Sequence, residues 1–350
     1  MKTNIVKSFC FLAACLVLAG CEEKFGEGVT LKDIQTGEDV RVNMGDKVKA
    51  QAWPVPWDCT DYKFTWESAD PTIATVDNYG KITPVDVGNT VVYVSQGSIK
   101  KEIPVEVYEI TLQEKLVALG VKGLWLFEDA SNLFKASAGK DLMPVGTGFT
   151  QVDGPSKRKK AVSLPCSEKI DGVWQHNHLI CEHGFAPNGG GAKYVNEFTI
   201  VVDCKFPGGP TETPTWQNGK YYSLYQTYLD NSSDADFFWR PGGDFGITGS
   251  YTGKSKDGEE LNHLFVKDTW YRFVIVVKLG NELKYYMNGV AYDARSQGSL
   301  DGERAWRPEG VLLFADEDGE NGQGFPLIVS AVGIFDKALT EVEAKSLGGL

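Results

Sequence analysis

The sequence predicts an all-β fold in two antiparallel sandwiches, the second larger than the first. Three observations point there. At 350 residues the chain is long enough for two domains and a sizeable core in at least one of them. From about residue 30 onward, apolar and polar residues alternate in short runs broken by Gly, Pro, Asn and Asp, the period of half-buried strands. Helical signals mark two short stretches, "TLQEKLVALG" and a terminal segment capped by Thr340 with Glu343.

The first twenty residues stand apart. Lys2 and Lys7 precede the apolar run "FCFLAACLVL", which is too short to span a bilayer as a mature helix and has the make-up of a secretory leader. It ends in Leu18-Ala19-Gly20-Cys21, which resembles the lipobox of bacterial lipoproteins, where small residues admit the signal peptidase and the cysteine thiol receives diacylglycerol. The resemblance implies a signal peptide over residues 1–20, a lipidated Cys21, and contact with a membrane only through that lipid. Glu22 and Glu23 resemble the acid-rich signals that send some lipoproteins of Gram-negative bacteria to the outer face of the outer membrane, which implies a cell-surface location. Loss of Lys2 and Lys7 with the leader takes the net charge from −12 to −14, a balance that argues against nucleic acid or an anionic lipid surface as partner. In an exported setting Cys59, Cys166, Cys181 and Cys204 remain, and spacing alone pairs none of them.

A polar tether over residues 21–29 leads into the first sandwich, residues 30–108. Its strands are read from "VKAQAWPV", "YKFTWES", "ATVDN", "GKITPVDVG", "NTVVYVSQ" and "KKEIPVEVY". The run "FTWESADPTIATVDNYGKITPVDVGNTVVYV" resembles the group 2 bacterial Ig-like domain: a Trp, a Ser-x-Asp-Pro turn, Ile-Ala-Thr-Val-Asp, then Gly-Lys-Ile-Thr. Trp66 would plug the core, Asp70-Pro71 starts a turn, and Gly80 supplies a backbone position that a side chain would resist. The resemblance implies a spacer or part of an adhesin. Trp53 and Trp57, in "WPVPWD", could form an exposed aromatic patch but read better as a loop packed on the domain edge.

Thr111 and Glu114 are spaced as a capping box, so residues 109–122 read as a helical linker with Leu112, Leu116 and Leu119 packed on the second domain. From residue 123 to 350 strands and glycine-rich loops return. In "TWYRFVIVVKLGNELKYYMNGVAYD", Tyr271, Phe273, Ile275 and Val277 share one face and Val274 and Val276 the other, as in a central strand, and Gly280-Asn281 turns the chain back. This hairpin resembles the laminin-G-like, concanavalin-A-type jelly roll, supported by "LWLFEDASNLFKASAGKDL" and by the closing strand, Asp-Lys-Ala-Leu turn and terminal helix. The resemblance implies a sandwich shared by lectins, carbohydrate-binding modules and some glycoside hydrolases.

The hydrolases of that fold carry Glu-x-Asp-x-x-Glu on one strand, a spacing absent here; "DEDGE" comes nearest but runs into the loop composition "NGQG". Glycan binding asks for exposed aromatic faces with amide and carboxylate partners. Trp216, Trp239 with Arg240, and Trp306 stand beside turn residues and read as solvent-facing, and Tyr222 and Tyr228 share one strand parity opposite Tyr221 and Tyr225. A glycan is therefore the expected partner, with adhesion to a surface protein, or an atypical glycoside hydrolase, as alternatives. His176, His178 and His183, near Cys181, look metal-like by spacing but fit a polar strand entering "PNGGGAK" better. Two aspartate-rich loops would together offer Asp234, Asp236, Asp316 and Asp318 to calcium if they meet in space. As an EF-hand the second fails, because Gly322 falls at position 7 and Leu327 at position 12 when counted from Asp316.

Overall fold

A computed structural model describes residues 28–165, 168–175, 177–207, 222–227, 229, 237–239, 245–247, 250–252, 268–292, 298–314 and 327–350. The chain divides into two compact units, Met1–Ile110 and Thr111–Leu350. Both are built of strands, and the described helices are the short Leu112–Ala118 and Glu341–Ser346. Among the described residues no helix is long and apolar enough to cross a membrane.

In the first unit, strands Val40–Asn43, Ile99–Tyr108, Gly88–Gln96 and Thr65–Ser68 lie side by side in that order, with the first pair parallel. Opposed to them are a three-stranded sheet, Val48–Lys49, Lys81–Pro84 and Ala74–Val76, and the pair Asp33–Thr36 with Ala52–Val55. Alternation does the sorting: along Ile99–Tyr108 it is Ile103, Val105 and Val107 that are buried, against Ile34, Val42, Ile82, Val92 and Val94. Residues 48 to 55 change sheets, pairing first with 81–82 and then with 33–36, and turn a corner of the sandwich.

The second unit is a sandwich of a nine-stranded and a seven-stranded sheet. Trp270–Lys278 lies between Glu197–Lys205 and Glu282–Met287, as its two apolar faces predict. Phe198, Ile200, Val202, Phe273 and Ile275 turn inward onto Leu179, Leu224, Phe237, Trp239 and Phe245 of the facing sheet. Val201, Val274 and Val276 point the other way, into a smaller core closed by the two helices. Leu112, Leu116 and Leu119 pack there as expected, and Gly333 makes room, since a Cβ on it would stand 2.9 Å from Leu116. Both capping boxes are formed, Thr111 with Glu114 and Thr340 with Glu343.

One carboxylate organises the glycine-rich loop of this unit. Asp301 accepts the backbone N–H of Ala192 at 2.7 Å, Lys193 at 3.2 Å and Tyr194 at 3.0 Å, and the Asn196 amide at 3.0 Å. These bonds, led by that from Asn196, pull its pKa down to about 2.

Candidate functional site

The two tryptophans of the second unit that read as solvent-facing, and that the structure describes, are in its core. Trp239 and Trp306 are 0% exposed. Trp239 ends strand Phe237–Trp239 pointing inward, 5.2 Å from the Phe273 ring and 5.3 Å from Phe206. Trp306 stacks on Phe198 at 4.1 Å, held there because its backbone bridges Val195. Both indoles are packed into the core of the second unit. Neither can offer a face to a sugar, which corrects the expectation drawn from their neighbours. Tyr222 lies on strand Tyr222–Gln226, opposite Trp239. Trp216, Tyr228, Arg240, Asp234, Asp236, Asp316, Asp318 and Cys21 lie outside the described residues.

Where it is described, the histidine cluster is buried at His178 and half-buried at His183. His178 is buried in strand His178–Cys181, and His183 accepts the Phe185 N–H on Nδ1 at 2.9 Å with its ring 5.3 Å from that of Trp306. Burial lowers the His183 pKa to about 4, so it is neutral at pH 7. His176 lies outside the described residues, among which no three His, Cys, Asp or Glu side chains gather as a metal site. Cys59, Cys181 and Cys204 are buried free thiols, and burial pushes Cys181 up to about 12, far from a reactive thiolate.

An open groove is built instead on the first unit. Its volume is about 880 Å³, within the range of small-ligand clefts. One wall is the sheet-changing segment, where Lys49, Gln51 and Trp53 alternate outward while Ala50 is buried beneath. The other is the edge strand Thr65–Ser68 with the residues before it, which bring Tyr62, Lys63 and Thr65 to the surface and turn Phe64 and Trp66 toward the core. Tyr62 lies against Phe64 with ring centroids 4.7 Å apart.

The turn after Val76 completes the groove with Asn78 and Tyr79. Asp77 Oδ1 accepts the N–H of Tyr79 at 2.8 Å and of Lys81 at 2.9 Å, bonds that hold its carboxyl below the ordinary range, that from Lys81 contributing most. Gly80 follows at φ +78°, and the Trp66 indole lies on it so closely that a Cβ would stand 2.8 Å from the ring. Tyr79 is left 79% exposed and Trp53 45%.

Trp53 and Trp57 are thus both exposed, as the aromatic-patch alternative has them, and Trp53 lines the groove. The alternation in "VKAQAWPV" already put Lys49, Gln51 and Trp53 on one parity. What it lacked was the opposite wall, since Thr65 belongs to another sheet and Tyr62 to Phe64 lead into it. The groove presents aromatic faces beside amide, hydroxyl and ammonium groups, and no carboxylate lines it among the described residues.

Residues 29–107 match the family model of the bacterial Ig-like domain (group 2). No curated protein matches the chain. Similar solved structures include the binding domain of Paraclostridial Mosquitocidal Protein 1, at 18% identity over 65% of this chain and 51% of that one, with a TM-score of 0.43. The Botulinum neurotoxin serotype D binding domain is 12% identical over 61% of this chain and 47% of its own, at a TM-score of 0.38. Trypanosoma rangeli sialidase in complex with sialic acid is 8% identical over 76% and 45%, at a TM-score of 0.41. The chain spans about half the length of these structures.

Proposed function

We propose that this chain, a group 2 bacterial Ig-like domain followed by a large β-sandwich, is a cell-surface lipoprotein of the outer membrane that binds carbohydrate. The observation that carries the ligand class is the groove of the first unit. Trp53 and Tyr79 offer exposed rings for the CH faces of a sugar, and Gln51, Asn78 and Thr65 offer partners for hydroxyls. The Ig-like unit, expected as a spacer, is then a binding unit in its own right. The second sandwich enters as a laminin-G-like module, with calcium held by its two aspartate loops. A glycosidase would need two carboxylates across the scissile bond, and the described residues lining the groove include none, which favours binding as its role. Lipidation of Cys21 supplies the anchor.

The test is a glycan array, followed by affinity electrophoresis, on the mature chain with calcium and with chelator. At least one glycan is expected to bind, and Trp53→Ala and Tyr79→Ala are each expected to weaken it about two- to tenfold while melting stays unchanged. Binding untouched by both substitutions moves the site off the groove, and a blank array overturns the function.

A further inference from the structure

We propose that the groove of the Ig-like unit selects an acidic glycan, a ligand class that rests on, and narrows, the carbohydrate function proposed for it. Among the described residues, the charged ones lining it are Lys49 and Lys63. Both are exposed, and neither forms an ion pair with any described residue. In a chain with 35 basic against 47 acidic residues, a groove whose charge is wholly cationic runs against the composition. Asp77 stands near Lys49 and its Oδ1 accepts the Tyr79 and Lys81 N–H groups, but it is not among the residues lining the groove.

Lys49 belongs to the wall formed by the sheet-changing segment and Lys63 to the wall that leads into the edge strand, so a ligand lying in the groove passes between them. On the first wall Lys49, Gln51 and Trp53 repeat at roughly 7 Å, the rise of two strand residues. A saccharide along that row would set a ring on Trp53, hydroxyls on Gln51 and an anionic substituent on Lys49. A neutral sugar would gain little from ordering two long side chains, which costs rotamer entropy. A carboxylate or sulfate gains charge-assisted hydrogen bonds from them.

The test compares matched pairs on the full mature chain by affinity electrophoresis: polygalacturonate with its methyl ester, and dextran sulfate with dextran. Poly-L-glutamate serves as an acidic polypeptide. The expected result is that an acidic member binds more tightly than its neutral counterpart, the carboxylate and sulfate pairs separating the two chemistries. Lys49→Ala/Lys63→Ala is expected to weaken that binding about five- to tenfold, and added salt to weaken it further. Melting curves check that the variant is folded, and Lys49→Gln/Lys63→Gln should reproduce the loss with side-chain bulk retained.

Equal binding of acidic and neutral members overturns the inference, as does an unchanged lysine variant. Polyglutamate bound through the lysines but indifferent to Trp53→Ala would reassign the groove to acidic peptides and overturn it too. Neutral glycan lost on Trp53→Ala/Tyr79→Ala but untouched by the lysine changes sinks this inference alone. No binding to any glycan sinks it together with the carbohydrate function.

Discussion

At Gly80 the backbone takes φ +78° and the Trp66 indole occupies the space of a side chain. Gly80→Ala therefore adds left-handed backbone strain to a steric conflict, and is expected to cost about 1–3 kcal/mol in denaturant melting of the first unit. A shift below a few tenths would show that the turn yields freely. Asp301 makes a different kind of demand. Its pKa of about 2 in the folded chain lies below the ordinary 3.8, so the ionised form favours folding. That stabilisation is present above about pH 4 and is lost as pH falls toward 2. In Asp301→Asn the amide must aim donors at N–H groups whichever way it faces, since Oδ1 and Oδ2 both accept. Lower stability at pH 7 and a flatter acid limb are expected in pH-dependent melting; wild-type behaviour would make the carboxylate incidental. Gly80 and Trp66 were legible in the sequence because the Ig-like pattern fixes both. Trp239 and Trp306 were not, because an Arg-Pro neighbour in the sequence says nothing of which way the indole points.

At the scale of elements, the central strands and the helix caps could be read because their signals are local: alternation, Gly-Asn at a turn, Thr three residues before Glu. Arg272 shows where locality ends. It shares the parity of Val274 and Val276, and its partner Asp203 lies 69 residues earlier on the neighbouring strand, directly opposite in register. Nε and Nη2 donate to Oδ1 and Oδ2, each at 2.7 Å, and Nη1 donates to the Leu347 carbonyl at 2.6 Å. The pair is almost fully buried, at 3% and 6% side-chain exposure, and ties the end of helix Glu341–Ser346 to the sheet. Asp203→Ala strands a buried guanidinium and is expected to cost about 3–5 kcal/mol, whereas replacing both partners by apolar residues should recover most of it. Equal losses in the single and double variants, measured by denaturant unfolding, would mean the pair is not the source.

For the whole molecule, the sheets and cores decide how it should melt. Every strand pairing of residues 33–108 closes within the first unit, and its core, from Ile34 to Val107, shares no residue with the two cores of the second. Each unit thus has the hydrophobic cluster and satisfied sheets that cooperative folding needs. Two transitions are expected in calorimetry of the mature chain, the smaller from the Ig-like unit. Gly80→Ala should move only that one. Leu116→Ala, which empties a fully buried position under helix Leu112–Ala118, should move only the other, by about 2–5 kcal/mol. Residues 28–110 expressed alone should then melt where the smaller transition does and keep the affinity of the groove. A single transition that both substitutions shift equally would mean the units unfold as one, and the groove would have to be studied only in the full chain.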